Sequence, residues 1–298
     1  MSDQPTLFNW LSILMLGLIW GGTFMVVAIA LEGYGPLTVA CARTTLGAVT
    51  LLLLVRIMGR AMPSGTAVWG YLAVIGVLNT ALPFALLSWG QQYVPSAFAG
   101  ISMAALPLFV FPLAHLFSDE RMTSRKTIGV IVGFIGAAVL VGPGAFDFSE
   151  GSLALPQLAC IAASLSYAIS SVLTRRCPPV DSITMAALTL VVGAICLIPA
   201  MLVFEGVPTW VDGRAGYAIV FLGLVPTAFA ALLRVQTIRT AGSVFMTLVN
   251  YQVPVWSMVF GAWVLSEVLT QRFFAALALI LCGLAISQWA GLKSLLKR

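Results

Sequence analysis

The sequence predicts an all-α polytopic membrane protein with ten transmembrane helices, built from two inverted five-helix repeats with both termini cytoplasmic. Three observations predict it. Of 298 residues, 60% are hydrophobic and only 8% are charged, where soluble domains carry roughly 25% charged residues. The apolar residues fall into runs close to the roughly 20 residues a membrane-spanning helix requires. Lys and Arg gather on one side of those runs, as they do in cytoplasmic loops. This composition excludes a sizeable extramembrane domain, a nucleic-acid binder and a conventional soluble enzyme. The net charge of +5 reads as that loop bias rather than as a surface for an acidic partner.

Charges and Gly/Pro clusters set the span limits in order. The first span, 9–31, has no basic leader before it and is too long for a signal-peptide core, so it stays in the membrane. The second, 36–57, opens on Pro36 and closes at Arg56. The charge-free stretch from Ala61 to Ser118 is 58 residues long and must fold back on itself. Its turn belongs at Gln91–Ser96, where polar residues meet Pro95, which gives spans 67–90 and 96–118. The remaining spans are 124–142, 152–174, 181–204, 216–236, 243–266 and 270–292. Barrel strands would be short and alternating; these runs are apolar all round, so they are helices.

Ten spans put both termini on one side. That side holds Arg56, Arg60, Arg121, Arg125, Lys126, Arg175, Arg176, Arg234, Arg239, Lys293, Lys297 and Arg298, 12 in all, against 2 opposite, Arg214 and Arg272. The bias places both termini in the cytoplasm.

The halves 1–146 and 147–298 match at an offset of 147 residues. Thr80 falls on Thr227, Ser96 on Ser243, Pro107 on Pro254, Glu120 on Glu267 and Gly136 on Gly283, with Trp20 on Tyr167. Five spans per half is an odd number, so the second half is upside down. Inverted repeats of this kind bind substrate near the midplane and rock one half against the other.

Prolines lie inside several spans. Pro83, Pro107, Pro226 and Pro254 each lack an N–H and release the carbonyl four residues earlier, in Asn79, Met103, Leu222 and Asn250. Such a carbonyl either accepts from a substrate ammonium or is capped by a neighbouring group. Polar residues cluster beside two of them, at Asn79-Thr80 and Asn250-Tyr251-Gln252. One or two of the latter should line a cavity and the rest bond a neighbouring helix. Trp20, Tyr167, Tyr251 and Trp256 offer aromatic faces for an apolar side chain or an ammonium. Trp10, Trp69, Trp89 and Trp289 read as interface anchors.

No Asp or Glu lies within a span. The lone histidine, His115, and the end-of-span Glu267 are the candidates for proton coupling. Arg43 is the clear intramembrane cation: it binds a carboxylate, snorkels, or pairs with Glu32 or Glu267. The cavity therefore reads as neutral and amphipathic. Gly17-x-x-x-Gly21 and Gly129-x-x-x-Gly133 permit close helix approach, within the monomer or at a homodimer face. The five cysteines form no pairing pattern. No metal-site, nucleotide-loop or dinucleotide motif is present, so neither a metal nor a cofactor is expected and an enzyme is not.

Trp20-Gly21-Gly22-Thr23-Phe24, Pro36 with Arg43, Pro107, Glu120 and Gly129, then Pro254 and Glu267, resemble the EamA-type branch of the drug/metabolite transporter superfamily. Tyr167 stands where that pattern usually has Trp, and Ala276 where it usually has Gly. Within the branch, the chain resembles the YddG-type exporters of aromatic and other amino acids. The resemblance implies a basket of ten helices around a central cavity, spans 5 and 10 at the periphery, and a bacterial inner membrane. It implies export of small molecules, with substrate and the lipid bilayer as partners, no nucleic acid, and a monomer or homodimer. The reading is an alternating-access exporter of neutral amino acids, a facilitator or weakly proton-coupled; the rival is a multidrug or lipophilic-cation exporter.

Overall fold

The computed structural model describes residues 5–117, 122–143, 147–149, 151–289 and 293, apart from the side chains of residues 243 and 244. Glu120 lies outside the described residues. Eight helices are long and apolar enough to cross a membrane. They are α1 (Leu7–Leu31), α2 (Pro36–Ile57), α3 (Thr66–Gly90), α4 (Ser96–Phe117), α5 (Ser124–Val141), α6 (Ala154–Arg176), α7 (Ser182–Phe204) and α8 (Arg214–Ala241). A single turn, Ser243–Met246, leads into α9 (Val249–Val264), and α10 (Gln271–Ser287) follows. These last two helices have 16 and 17 residues. No strand occurs among the described residues.

α8, expected to end at 236, runs past its predicted limit. Arg234, Gln236 and Arg239 end the apolar run but are good helix formers. The helix continues to Ala241 and stops at Gly242, whose φ of +89° disfavours other residues. The span predicted over 243–266 is broken at Thr247–Leu248. In α4 the helix breaks at Ala104–Ala105, just before Pro107, because the proline ring excludes the preceding α-turn.

Helices pair across the two halves. α1 packs along α9, α2 along α7, α4 along α6, and α5 along α10. α3 lies against α6 and α7, and α8 against α1 and α2. Moving each helix five places on in this order returns the same set of pairings. The core between them is aliphatic and aromatic, with Leu16, Phe98, Ile101, Leu108, Phe245 and Ile280 nearly inaccessible. Lipid offers helices no hydrophobic drive to associate, so close packing holds the bundle together. Glycine makes that packing possible. Gly17 and Gly21 admit Gln252 and Trp256 of α9, and Gly129 admits Ser287 and the Gly283 carbonyl of α10. Both glycine pairs thus serve contacts inside the chain. Gly129→Ala should force α5 off α10, where backbone cannot yield, at a cost of about 1–3 kcal/mol. A melting temperature in detergent equal to that of the parent would show the contact to be looser than described.

Carboxylates tie the far end of the bundle, opposite the N-terminus. Glu205, just past α7, accepts from the N–H groups of Leu37 and Thr38 at 2.8 Å each and from the Thr38 hydroxyl at 2.7 Å. Glu267, between α9 and α10, accepts from Ser96 N–H at 2.6 Å and Ala97 N–H at 3.0 Å. Each carboxylate sits on unpaired N–H groups at the positive end of a helix dipole. At the other end Asp181 meets Arg60 and Arg239, both at 3.4 Å; ion pairs this exposed contribute little.

Candidate functional site

Two helices depart from α geometry in the middle of the bundle. Over Val77–Ala81 in α3 and Gly223–Phe229 in α8 the backbone widens to π turns. The Leu82 N–H reaches back five residues to the Val77 carbonyl, and the Ala230 N–H to that of Val225. A proline adjoins each: Pro83 follows the first and Pro226 lies within the second. The proline removes a donor, and widening the turn re-pairs the carbonyls it leaves. Threonine completes the repair. Thr227 Oγ1 donates to the Leu222 carbonyl at 2.8 Å. Thr80 Oγ1 lies 2.6 Å from the Gly76 carbonyl and 3.1 Å from that of Thr189 on α7. The Leu222 carbonyl, expected to be released by Pro226, is therefore capped from within its own helix, because a hydroxyl five residues on reaches it.

The widened turns are held by the helices beside them. Gly76 faces Val192 and Thr189 of α7, while Gly223 faces Leu46 and the Arg43 carbonyl of α2. Gly76 and Gly223 stand 147 residues apart, as do Thr80 and Thr227. From α6, Ser166 Oγ donates to the Leu78 carbonyl at 2.7 Å, and Ser170 Oγ to Asn79 Oδ1 at 3.3 Å. From α1, Trp20 Nε1 donates to the Pro226 carbonyl at 3.2 Å. Trp20 and Asn79, proposed from sequence as substrate contacts, are thus both bonded at the widened turns, and both remain half-buried. Trp20→Phe keeps the ring and loses the donor. It should cost about 1 kcal/mol, read as a small drop in melting temperature; an unchanged value would mean the bond contributes nothing net.

Arg43 lies one helix away, on α2. It is 6% exposed. Its guanidinium carbon sits 3.8 Å from the centroid of the Phe84 ring of α3, a cation–π contact. Tyr167 of α6 is within electrostatic reach. Snorkelling is excluded by burial, and pairing with Glu267 by that carboxylate's commitment to Ser96 and Ala97. No ion pair to Glu32 is present among the described residues.

The other sequence-proposed residues divide. Met103 is half-buried and its Sδ accepts from Ser164 Oγ at 3.7 Å. Tyr251 donates its hydroxyl to Gln288 Oε1 at 3.4 Å, and Gln252 Nε2 reaches the Ile13 carbonyl of α1 at 3.5 Å. Both are helix ties, so the Tyr251 hydroxyl is taken by a neighbour. Asn250 is half-buried on the same helix. Trp256 packs against Gly21 and stacks on Phe260 at 5.9 Å. His115 is exposed near the end of α4, with its Nδ1 accepting the Met122 N–H at 3.4 Å, remote from the widened turns. Pro83, Pro107, Pro226 and Pro254 are all buried.

The expectation of a neutral interior is corrected by two arginines. One is Arg43. The other is Arg234, two turns beyond Thr227 on α8, which is exposed although it shares a helix face with buried Ala230 and Thr237. The exposed Gln236 and Thr240 lie on the opposite face. Arg234 therefore points into the bundle and still meets solvent. Sequence periodicity places neither side chain relative to its neighbours. The threonine caps had a legible signal, Thr80 three residues before Pro83 and Thr227 directly after Pro226.

Two clefts open on the surface. One of about 270 Å³ lies at the far end between Pro36, Leu37, Leu82, Ala85, Trp89 and Glu205. The other, about 440 Å³, runs between α9 and α10 along Val255, Met258, Trp263 and Phe274. Neither contains Trp20, Asn79, Met103, Tyr167, Asn250, Tyr251 or Trp256.

A bundle with half-buried polar residues at two broken helices is a transporter architecture. The EamA-like transporter family model matches residues 8–142 and again 155–288, and the chain belongs to that family. It is 26% identical to the uncharacterized transporter YoaV of Bacillus subtilis over 92% of this chain and 94% of that one. It is also 26% identical to the inner membrane transporter YedA of Escherichia coli K12, over 91% and 87% of the two chains. A probable terminal-alkyne amino-acid exporter of Streptantibioticus cattleyicolor matches at 26% over 70% and 69%. A solved crystal structure superposes with a TM-score of 0.68 at 20% identity, covering 95% of this chain and 98% of that one, so the two share a fold. The protein is a multi-pass inner-membrane transporter of small molecules.

Proposed function

We propose that the chain exports neutral and aromatic amino acids and related metabolites by alternating access. In this reading α9, with the turn before it, and α10 also cross the membrane, giving ten spans with both termini cytoplasmic. Units 1–146 and 147–298 are inverted copies that rock about the interior. The observation that carries the reading is the pair of widened turns, 77–81 and 223–229, each packed mainly against helices of the opposite half. Broken helices at the interface of two repeats are where such folds bind substrate. In this reading Trp20, Asn79, Tyr167 and Asn250 contact it, and the amino-acid exporter among the relatives favours this substrate class. The two interior arginines weigh against the rival, a lipophilic-cation exporter, since they repel its cargo.

Counterflow in proteoliposomes with labelled phenylalanine, methionine and threonine tests the proposal. Saturable exchange that ignores an imposed pH gradient supports a facilitator, and acceleration by the gradient supports coupling through His115 or Glu267. Transport of quaternary ammonium dyes with no amino-acid exchange would overturn it.

A further inference from the structure

Arg43 is an unusual group to bury. Its Nε is sealed from solvent with no hydrogen-bond partner among the described residues. Among the described residues its two terminal nitrogens carry no hydrogen bond either, and neither is sealed in the same way. The interior around it offers an aromatic face, Phe84, and a phenol, Tyr167, and among the described residues no ion pair to a carboxylate is formed. Glu205 and Glu267 are held at the far end by backbone N–H groups. An interior cation without an anion is strongly unfavourable unless one arrives.

Packing does not require the charge. The residue 147 positions on is Leu190, buried at 5% exposure on α7, the helix that pairs with α2. An apolar side chain therefore satisfies the equivalent position. Arg234 repeats the pattern: its counterpart 147 positions back is the buried Leu87. Both interior cations break the likeness of the halves in the same direction, from leucine to arginine.

We propose that Arg43 is the carboxylate anchor of the transport site, so that this transporter selects molecules bearing a carboxylate. The guanidinium fork takes the two carboxylate oxygens through its terminal nitrogens, a bidentate geometry that lysine cannot reproduce. Phe84 holds the plane of the fork, and Arg234 draws the same anion in through the solvent-reached part of the interior. The inference rests on the transporter reading and narrows its substrate class.

The test uses the full chain in detergent and in proteoliposomes, with three probes that share one ring and chain. Phenylalanine carries both charges, 3-phenylpropionate only the carboxylate, and phenethylamine only the ammonium. Phenylalanine and 3-phenylpropionate should raise the melting temperature and compete in counterflow, while phenethylamine does neither. Arg43→Leu should fold with a melting temperature no lower than the parent and lose binding of both carboxylates by about 30-fold or more. Arg43→Lys should retain part of it. Binding of phenethylamine as tight as that of phenylpropionate would overturn the proposal. So would carboxylate binding by Arg43→Leu, or no response of the parent to either carboxylate. Binding of the carboxylates without counterflow would leave the anchor standing and overturn the transport reading instead.

Discussion

Glu267→Gln is expected to destabilise the far end of the bundle by about 1.5–3 kcal/mol, the worth of hydrogen bonds made to a charged group. The carboxylate now accepts from Ser96 and Ala97 with both oxygens. An amide keeps one acceptor and turns an NH2 toward the second N–H, so a donor faces a donor. The negative charge at the N-terminus of α4 is lost as well, which removes a favourable dipole interaction of about 0.3–1 kcal/mol. The surrounding backbone is built to hold this carboxylate. Ser266 adopts φ of +54°, a left-handed conformation that costs a non-glycine residue roughly 1–2 kcal/mol. That reversal folds Glu267 back over Gly261, whose missing Cβ leaves room for the carboxylate. Two readouts separate the local effect from a general one. The melting temperature in detergent should fall by several degrees, and amide exchange at Ser96 and Ala97 should rise while that of α5 and α10 holds. Unchanged exchange at those two amides would show that the carboxylate does not cap α4.

The helices that form the bundle were legible because the membrane leaves a chain few options. Long apolar runs must be helices, and charges cannot stay inside without cause. The limits of α2, α4 and α5 accordingly fall within a residue of those read from punctuation. The extension of α8 was not legible, because a helix that leaves the apolar zone continues on propensity until Gly242 stops it. The breaks at Pro83, Pro107 and Pro226 were located, but not their form. A proline says that one donor is missing; whether the backbone kinks, widens or borrows a hydroxyl depends on what packs beside it. The same limit governs the site. Arg43 was found as a cation in a span, yet Phe84 above it and the absence of a carboxylate around it are facts about other helices. Tyr251 has the chemistry of a substrate contact, and its hydroxyl donates to Gln288 just past α10, a partner that spacing along the chain does not reveal. The positive interior was missed because Arg234 reads as a loop charge until its helix face is known.

Thr80→Val and Thr227→Val should both damage the protein, and the first should damage it more. Valine keeps the shape of threonine and removes only the hydroxyl. At position 227 one buried carbonyl, that of Leu222, loses its cap. At position 80 the single hydroxyl hydrogen is shared between two carbonyls, Gly76 in the same helix at 2.6 Å and Thr189 on α7 at 3.1 Å, and both lose it. A buried polar group left without its partner costs about 1–3 kcal/mol. The second bond of Thr80 also crosses between helices, at a place where Gly193 lets the Thr80 side chain approach. Its loss frees α3 from α7 as well as weakening the turn. The corresponding serines keep the hydroxyl and should remain near the parent in melting temperature. If the widened turns move during transport, the effect on rate exceeds the effect on stability. A loss of about 1.4 kcal/mol in the rate-limiting rearrangement is tenfold in initial counterflow rate. Equal damage at the two positions would mean that the bond to Thr189 contributes nothing. Valine variants that transport at the parental rate would place the moving parts elsewhere in the bundle.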